Sequence, residues 1–413
     1  MKEQYVQLPR VAPCLLAIIV DYMGFGLIYP IVTAMFAHTQ TTFPSIVSEH
    51  SRLFFQGLAY LLYPAAMFFG AAFLGDFSDK HGRKKILGVA LFGIFLSFLC
   101  MGLGIFLKSI TIFLIGRAAS GLFAGSQPLA QAAVADISSP ETKKWNMSLI
   151  SLANNVGLIF GPLVAGILTA KWLMDWAGYL LPFIFSALFA LFALLWLWKG
   201  FKETYENRPE KIIGWARPFE IFFEGIRNSS IRPLTIILFF FQLSVALFYQ
   251  MLSIYLSETF HYSSSLLGYF YGFIGLFFIF SIVALYPLFL HRFSIQALIQ
   301  IGFFSMSISI LLAGLIPLQF FIWVFSACFA IANILIWTAF LSYYSNAIDK
   351  DRQGWGMGIF TSVVAFSFFV SGWATNILPW VSPRAQIIWA GLIGLLGAVL
   401  FIVHRYKVEN SGY

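Results

Sequence analysis

Two side chains of opposite charge lie deep inside long apolar stretches of the sequence. Asp21 is about ten residues into the stretch 11–36, and Arg117 is about seven residues into the stretch 110–135. If these stretches cross a bilayer in opposite directions, a rise of ~1.5 Å per residue places the two residues about 15 Å and roughly 10 Å deep from opposite faces. The difference in depth of about 5 Å is short enough for the side chains, or one water molecule, to bridge.

The chemistry available to such a pair is reversible binding of a proton by Asp21. Removal from water disfavours a charged carboxylate, whereas a nearby guanidinium favours it. The affinity of Asp21 for a proton therefore depends on its distance from Arg117, and a change of conformation that alters this distance alters proton binding. A charge at the bilayer centre costs a few kcal/mol, so the pair is a candidate proton-coupling site. The alternative is a static ion pair that joins the two segments.

The composition of the chain places these residues in a lipid bilayer. Of the 413 residues, 60% are hydrophobic and 10% are charged, and the mean hydropathy is +0.85. A soluble domain is about a quarter charged, and the balance here also excludes a disordered, a collagen-like and a secreted disulfide-bonded protein. A spanning helix needs about 20 largely apolar residues. Twelve stretches qualify: 11–36, 52–74, 86–107, 110–135, 147–170, 178–199, 233–257, 266–289, 297–316, 319–345, 354–377 and 383–404.

The distribution of Lys and Arg predicts the orientation of the chain. If both termini lie on one side, that side collects most of the 25 Lys and Arg residues. The opposite side has Arg52, Lys108, Lys171 and Arg384, and Arg117 falls inside a span. Because cytoplasmic loops are rich in positive charge, we expect both termini in the cytoplasm. The net charge of +8 then belongs to loops that face anionic lipid, and no nucleic-acid partner is expected.

The longest loop, 200–232, divides the spans into two sets of six. Its apolar residues recur at helical spacing between charged ones, which is typical of an amphipathic helix on a membrane surface. Trp145 and Met147 recur as Trp355 and Met357, which favours an internal repeat with a ligand site at the midplane between the halves. We therefore predict an all-α membrane fold with two six-helix bundles. The predicted parts are the N-terminal bundle at 1–199, the linker at 200–232 and the C-terminal bundle at 233–413.

The run between the second and third spans has a specific spacing. It reads glycine, three residues, aspartate, two residues, glycine and arginine, at Gly75, Asp79, Gly82 and Arg83. Gly82 permits a sharp turn, Asp79 is suited to accept hydrogen bonds from helix N-terminal amides, and Arg83 offers a forked donor. This run resembles the signature loop of the major facilitator superfamily. The resemblance implies a latch that holds the cytoplasmic ends of the halves in the outward-open state, with Asp136 as the acidic partner of Arg83.

Three further runs resemble motifs of the same superfamily. The run that contains Asp21 resembles the first helix of its tetracycline-efflux branch. The run that begins at Arg117 is similar to a fourth-helix motif whose arginine is tied to proton transfer in proton-coupled members. The fifth span resembles the motif of the drug–proton antiporters, and its small residues at every fourth position permit close helix packing. A packing seam without antiport is the alternative for this last motif. Its residues are Gly157, Gly161, Pro162 and Gly166.

Aromatic and amide side chains on the central spans predict the lining of a substrate cavity. Aromatic walls with a few amide groups suit a bulky amphipathic or planar molecule. Because the chain has 48 Phe, the alternative for many aromatic residues is lipid contact or helix packing. The candidates are Phe25, Tyr29, Tyr60, Gln127, Asn154, Gln242, Tyr249, Gln250, Asn333 and Trp337, together with Tyr63 and Asn155.

A membrane enzyme and a receptor are the competing classes of protein. The six His residues lie in loops or at span ends without metal-ligand spacing, and Cys14, Cys100 and Cys328 have no disulfide or zinc spacing. No nucleophile elbow or phosphate loop is present. We therefore expect no enzyme and no metal site, and the repeat and the latch argue against a receptor.

The residues and the resemblance together predict proton-coupled export of small amphipathic or drug-like molecules by alternating access. We expect a monomer in contact with lipid in a bacterial inner membrane, driven by the proton gradient and without a cofactor. The alternative is proton-coupled uptake, or export, of one specific metabolite such as a siderophore on the same fold.

Overall fold

A computed structural model describes most of the chain, and its regular structure is helical throughout the described residues. These residues are 2–36, 42–46, 48–138, 140–170, 178–204, 217–348 and 353–410. The α-helices are α1 Lys2–Met35, α2 Glu49–His81, α3 Arg83–Phe106, α4 Ile110–Leu122, α5 Ser126–Ile137, α6 Pro140–Leu168, α7 Leu180–Gly200, α8 Arg217–Arg227, α9 Arg232–Phe260, α10 Ser264–Phe280, α11 Tyr286–Leu290, α12 Ile295–Leu315, α13 Gln319–Asn346, α14 Gln353–Gly372 and α15 Pro383–Asn410.

Eleven helical segments within the described ranges are long and apolar enough to cross a membrane. The expectation of an all-helical, multi-pass membrane protein is therefore confirmed. The predicted span 110–135 is not among the eleven, because it is divided into α4 and α5.

The break between α4 and α5 covers residues 123–125. Pro128 lies in the first turn of α5, where a missing N–H is tolerated. In a continuous helix its ring would clash with the carbonyl of Ala124 and one hydrogen bond would be lost. The chain instead tightens, and the N–H of Ala124 donates to the carbonyl oxygen of Gly121 at 3.0 Å. The prediction of a single helix over 110–135 was wrong for this reason.

The predicted loop that carries the signature motif is mostly helix. α2 continues to His81, so Gly75 and Asp79 are helical residues, and α3 begins at Arg83. Only Gly82 lies between the two helices, with a φ of 100° that strongly favours glycine. The turn is therefore one residue long, because none of the residues before Gly82 interrupts the helix.

The predicted span 266–289 is also irregular. α10 ends at Phe280, a π-helical turn covers Ser281–Leu285, and α11 follows with Pro287 in its first turn. A proline removes one backbone hydrogen bond, and a π-turn is a common local adjustment of a helix. The hydroxyl of Ser281 donates to the carbonyl oxygen of Ile331 on α13 at 3.0 Å, which holds this turn in place.

The chain divides into two compact units. The first contains Met1–Arg217 with Ser263–Gly272, and the second contains Pro218–Tyr262 with Phe273–Tyr413. The predicted limits of the bundles at 199 and 233 stay predictions.

The first unit is organised by a close seam between α1 and α6. A Cβ atom at Gly157 would lie 2.6 Å from the carbonyl oxygen of Ile19, and one at Gly26 would lie 2.7 Å from that of Leu158. A Cβ atom at Gly161 would collide with backbone atoms of α1. Small residues on both helices therefore let the two backbones touch, as in small-residue motifs of membrane helices.

The second unit packs around α9. Phe241 of α9 contacts Phe303 of α12 with ring centroids 5.5 Å apart, and all but the ends of α9 are largely buried. The hydroxyl of Ser244 donates to the carbonyl oxygen of Ala390 on α15 at 2.7 Å. A hydrogen bond therefore joins α9 to α15, in addition to the aromatic packing of α9 against α12.

The helix α8 lies within the predicted linker, whose residues 205–216 are outside the described part of the chain. Phe222 packs on Phe366 of α14 with ring centroids 4.9 Å apart. Phe219, Phe223 and Ile226 are exposed on a neighbouring face of the helix. The described helix is therefore amphipathic, and one of its faces is anchored to the second unit.

The glycine seam predicts the effect of adding a single methyl group. Gly161→Ala would place its Cβ atom against the carbonyl oxygen of Met23, so α1 and α6 would have to separate. Overpacking of this kind costs about 1–3 kcal/mol, and we expect a lower melting temperature for the purified protein in detergent. Gly75→Ala is the matched control, because no described atom lies within 4 Å of a Cβ atom there. Equal melting temperatures for the two variants would contradict the close packing.

Candidate functional site

The carboxylate of Asp21 is buried in the first unit and is held by hydroxyl and amide donors. The Tyr63 hydroxyl on α2 donates to its Oδ1 at 2.8 Å. The Ser126 hydroxyl donates to its Oδ2 at 2.6 Å, and the Ser126 backbone N–H does so at 3.4 Å. Because α5 begins at Ser126, the carboxylate lies at the positive end of a helix dipole. The break in the fourth span therefore creates a binding position for the negative charge of Asp21.

Arg117 lies on α4 and faces α2 rather than Asp21. Its Nε atom donates to the carbonyl oxygen of Ala59 at 3.0 Å, and its Cζ atom is 4.5 Å from the centre of the Tyr63 ring. In the part of the chain that the structure describes, Asp21 and Arg117 form no ion pair. The direct ion pair between Asp21 and Arg117 that the sequence suggests is therefore not formed in this structure.

Tyr63 is the residue that replaces the predicted ion pair. Its hydroxyl binds Asp21 while its ring lies against the guanidinium of Arg117. Helix spacing placed the two charges at similar depths but did not show which side chain would lie between them. Tyr63 was recognised only as a cavity residue, and Ser126 was not recognised at all. The sequence does contain an indication of this site. Ser126 lies two residues before Pro128, and a proline close after a serine is typical of the start of a helix.

The predicted cavity residues of the first unit form an aromatic cluster beside this site. Phe25 contacts Tyr29 edge to face, with ring centroids 5.7 Å apart, and Tyr29 stacks on Tyr60 at the same separation. Tyr271 on α10 lies 6.0 Å from Tyr29. The hydroxyls of Tyr60 and Thr33 are 2.7 Å apart. The structure therefore brings the aromatic candidates of the first unit together next to Arg117.

The amide candidates of the first unit lie on two other helices. Gln127 follows Ser126 on α5, and its Oε1 accepts a hydrogen bond from the Tyr22 hydroxyl. Asn154 on α6 has a buried Oδ1 atom without a hydrogen-bond partner among the described residues. Asn155 differs, because its amide donates to the carbonyl oxygen of Ser151 at 2.8 Å.

The candidates in the second unit lie on α9 and α13. Gln242 is buried, and Tyr249 contacts Phe278 and Phe329. Trp337 contacts Phe360 edge to face with ring centroids 5.3 Å apart, and Asn333 is half-buried one turn earlier on α13. The described packing gives Tyr249 and Trp337 aromatic neighbours within their own unit.

Gln250 has a specific partner in the second unit. Its amide donates to the hydroxyl of Thr375 at 2.5 Å, in the short 3₁₀ segment Trp373–Ile377 that follows α14. This contact joins α9 to the end of α14, so Gln250 has a structural role in addition to its predicted place in a cavity.

The signature residues form an ionic cluster at the turn between α2 and α3. Arg83 donates from Nη1 to Asp79 Oδ1 at 2.6 Å and to the Ser78 hydroxyl at 2.8 Å. Its Nε atom lies 3.5 Å from Asp136 Oδ2. Partial burial raises the pKa of the Asp136 carboxyl, and the charge of Arg83 opposes this. The predicted pairing of Arg83 with Asp136 is present, and Asp79 shares the same arginine.

Glu203 performs the role that the sequence suggested for Asp79. Its Oε1 accepts from the N–H of Arg83 at 2.8 Å, and its Oε2 accepts from the N–H of Lys84 at 3.2 Å. A carboxylate at the N-terminus of α3 satisfies free amides and complements the helix dipole. A Cβ atom at Gly82 would lie too close to this carboxylate, so the Glu203 side chain would have to shift. Sequence reasoning missed Glu203 because it lies 120 residues from Arg83.

The last glycine of the antiporter-type motif contacts α10 rather than α1. A Cβ atom at Gly166 would lie 2.9 Å from the carbonyl oxygen of Ser265 and 3.0 Å from Cα of Gly268. Thr169 accepts a hydrogen bond from Ser264 at 2.7 Å in the same region. The motif therefore provides two backbone contacts, with Gly157 and Gly161 against α1 and Gly166 against the start of α10.

The Glu203 contact predicts a change in stability. We expect Glu203→Ala to lower the free energy of unfolding by about 0.5–2 kcal/mol, because two amides of α3 lose their charged acceptor. Lys202→Ala is the control, since it removes an exposed neighbouring charge. The measurement is thermal unfolding of the purified protein. A loss in Lys202→Ala as large as that in Glu203→Ala would show that the cap contributes nothing specific.

Comparison with known proteins agrees with this architecture. A model of the Major Facilitator Superfamily matches residues 14–372. The class H tetracycline resistance protein of Pasteurella multocida is 24% identical over 396 residues, which cover 94% of this chain and 92% of that protein. The class C protein of Escherichia coli is 23% identical over 388 residues, which cover 93% and 92%.

A solved structure shows the same fold. The crystal structure of the human organic anion transporter MFSD10 (TETRAN) has a TM-score of 0.74 at 19% identity, and the match covers 96% of this chain and 99% of that one. The resemblance found in the sequence is thus confirmed. Because the family model spans most of the chain and its relatives are transport proteins, the chain belongs to the Major Facilitator Superfamily, in its tetracycline-efflux-like branch, and is a multi-pass membrane transporter and not an enzyme.

Proposed function

We propose that this transporter exports small amphipathic or drug-like molecules in exchange for protons, by alternating access. The observation that carries the proposal is the environment of Asp21. Asp21 is 6% exposed, and its carboxylate accepts hydrogen bonds from Ser126 and Tyr63. Among the described residues, no cationic side chain forms an ion pair with it. A buried carboxylate that is stabilised by neutral donors is suited to exchange a proton, because no fixed positive charge locks it in the ionised state.

The contacts of Asp21 supply a route from proton binding to conformation. Its charged form receives strong hydrogen bonds from α2 and α5, and a proton on the carboxyl weakens both. Protonation therefore loosens the hold of α1 on Ser126 and Tyr63. The bonds from Ser126 lie next to the break before α5, where the helical hydrogen bonds are already interrupted. A small rearrangement of the backbone there therefore costs little free energy.

The relatives support export of compounds with a planar, amphipathic body. Two of them are named for resistance to tetracycline, and the aromatic cluster around Tyr29 and Tyr60 provides stacking surfaces for such a body. The cluster of Arg83, Asp79 and Asp136 would act as the latch of the outward-open state. In this proposal the chain is a monomer with twelve spans and cytoplasmic termini in a bacterial inner membrane, surrounded by lipid and driven by the proton gradient without a cofactor.

The proposal is tested by transport in inverted membrane vesicles under an imposed pH gradient, acid inside, with tetracycline and ethidium as probes. We expect wild-type vesicles to accumulate a probe against its gradient, and Asp21→Asn to abolish this uphill accumulation because the variant cannot carry a proton. Glu49→Gln is the control, since it removes an exposed carboxylate that pairs weakly with Arg52 at 3.6 Å.

Two results would contradict the proposal. One is uphill accumulation in Asp21→Asn at the wild-type level, which would show that coupling does not require this carboxylate. The other is accumulation of neither probe by wild-type vesicles, which would favour coupled uptake or transport of a single metabolite. The gradient is reversed in a parallel experiment to establish the direction of coupling.

A further inference from the structure

Arg117 carries a buried positive charge that has no role in proton binding by Asp21. The residue is 2% exposed, and its Nε atom donates to the carbonyl oxygen of Ala59 at 3.0 Å. Across the described residues, neither of its Nη groups has a hydrogen-bond acceptor, and no carboxylate forms an ion pair with it. A buried guanidinium without a counter-charge is costly, and charges retained inside a membrane protein generally mark a ligand or ion pathway.

The acids of the first unit leave this positive charge uncompensated. Asp21 is the only acid well inside its predicted spans, and its two oxygens are bound by Tyr63 and Ser126. A direct pair between Asp21 and Arg117 would require the displacement of Tyr63. Asp79 and Asp136 are held by Arg83 at the distant turn between α2 and α3.

The surroundings of the guanidinium are aromatic. Its Cζ atom lies 4.5 Å from the centre of the Tyr63 ring, and the Phe25 ring contacts both Tyr63 and Tyr29 with centroids 5.7 Å apart. Tyr29 and Tyr60 are stacked with an interplanar angle of 22°. A guanidinium presents a planar fork of N–H donors that matches a carboxylate, and aromatic rings beside it accept a flat apolar body.

We propose that Arg117 binds the anionic group of the transported molecule, so that the substrates include planar aromatic monoanions such as aromatic carboxylates. This inference rests on the proposed function, because it assigns the substrate class of the same site. A single buried cation fits a single negative charge, and the free Nη groups supply the donors for it. The tyrosine rings then hold the aromatic part of the substrate, and Asp21 binds the proton in the other half of the exchange cycle.

The test is equilibrium binding to the purified protein, with naphthalene-2-carboxylate and its neutral analogue naphthalene-2-carboxamide as probes. These probes share an aromatic body and differ in charge. We expect the wild type to bind the carboxylate about tenfold or more tightly than the amide, which is the fold-change expected from a hydrogen bond to a charged group. Arg117→Gln should abolish this preference while the affinity for the amide changes little.

Two further variants separate the role of Arg117 from a general effect on structure. Arg117→Lys retains the charge without the planar fork, so we expect it to keep part of the preference. Arg52→Gln removes another buried arginine, one whose Nη1 atom donates to the carbonyl oxygen of Phe36 at 2.7 Å, and we expect it to keep the full preference. Each variant is compared by gel filtration to establish that it is folded.

The inference is overturned if the wild type binds the carboxylate no more tightly than the amide, or if Arg117→Gln keeps the wild-type preference. Because binding is measured without a pH gradient, its outcome is independent of proton coupling. If wild-type vesicles show no uphill transport in any condition while the purified protein still prefers the carboxylate, only the proposed function is contradicted. If wild-type vesicles accumulate tetracycline or ethidium while the purified protein does not prefer the carboxylate over the amide, only the substrate assignment is contradicted.

Discussion

The negative charge of Asp21 must be satisfied inside an apolar bundle, and three helices of the first unit are arranged to do so. α1 carries the carboxylate, α2 supplies the hydroxyl of Tyr63, and α5 begins at Ser126, whose hydroxyl and N–H both donate to it. A continuous fourth span would bury the amide of Ser126 in its own helical ladder. The break before α5 exposes that amide, so the interruption of the helix and the stability of the buried charge have the same origin.

The close seam between α1 and α6 fixes one face of α1. Gly157 and Gly161 bring the backbone of α6 against α1 at Ile19 and Met23, on either side of Asp21 in the sequence. Because overpacked cores deform at a cost, α1 is held on this side by backbone contact. On its other side it is held by hydrogen bonds to Asp21, whose strength depends on charge. A proton on Asp21 therefore changes one side of α1 and leaves the other fixed.

Patterns within short segments predicted much of this molecule, whereas contacts between distant segments were not predictable in detail. Hydropathy located most spans, because burial in lipid requires apolar residues over the whole length of a helix. The glycine spacing around Gly161 predicted close packing, and the spacing of Gly82 and Arg83 predicted a turn with an ionic cluster. The cap from Glu203 could not be predicted, because an exposed glutamate near the end of a helix has many partners within reach.

The relation between Asp21 and Arg117 shows the same limit. Depth in the membrane follows from residue count, but the direction in which a side chain points depends on the rotation of each helix. Tyr63 occupies the space between the charges and contacts both of them. This leaves a carboxylate with neutral donors and a guanidinium among tyrosine rings. The predicted pair is thus two separate sites that both contact Tyr63, one suited to a proton and the other to an anionic group.

The central claim is that Asp21 exchanges a proton within the folded protein, and infrared spectroscopy tests it most directly. Spectra of the purified wild type and of Asp21→Asn are recorded across a pH titration, and the carbonyl stretch of a protonated carboxyl group is followed in their difference. The account predicts a band that grows in the wild type as the pH falls and is missing from Asp21→Asn at every pH. Identical titrations of the two proteins would contradict it.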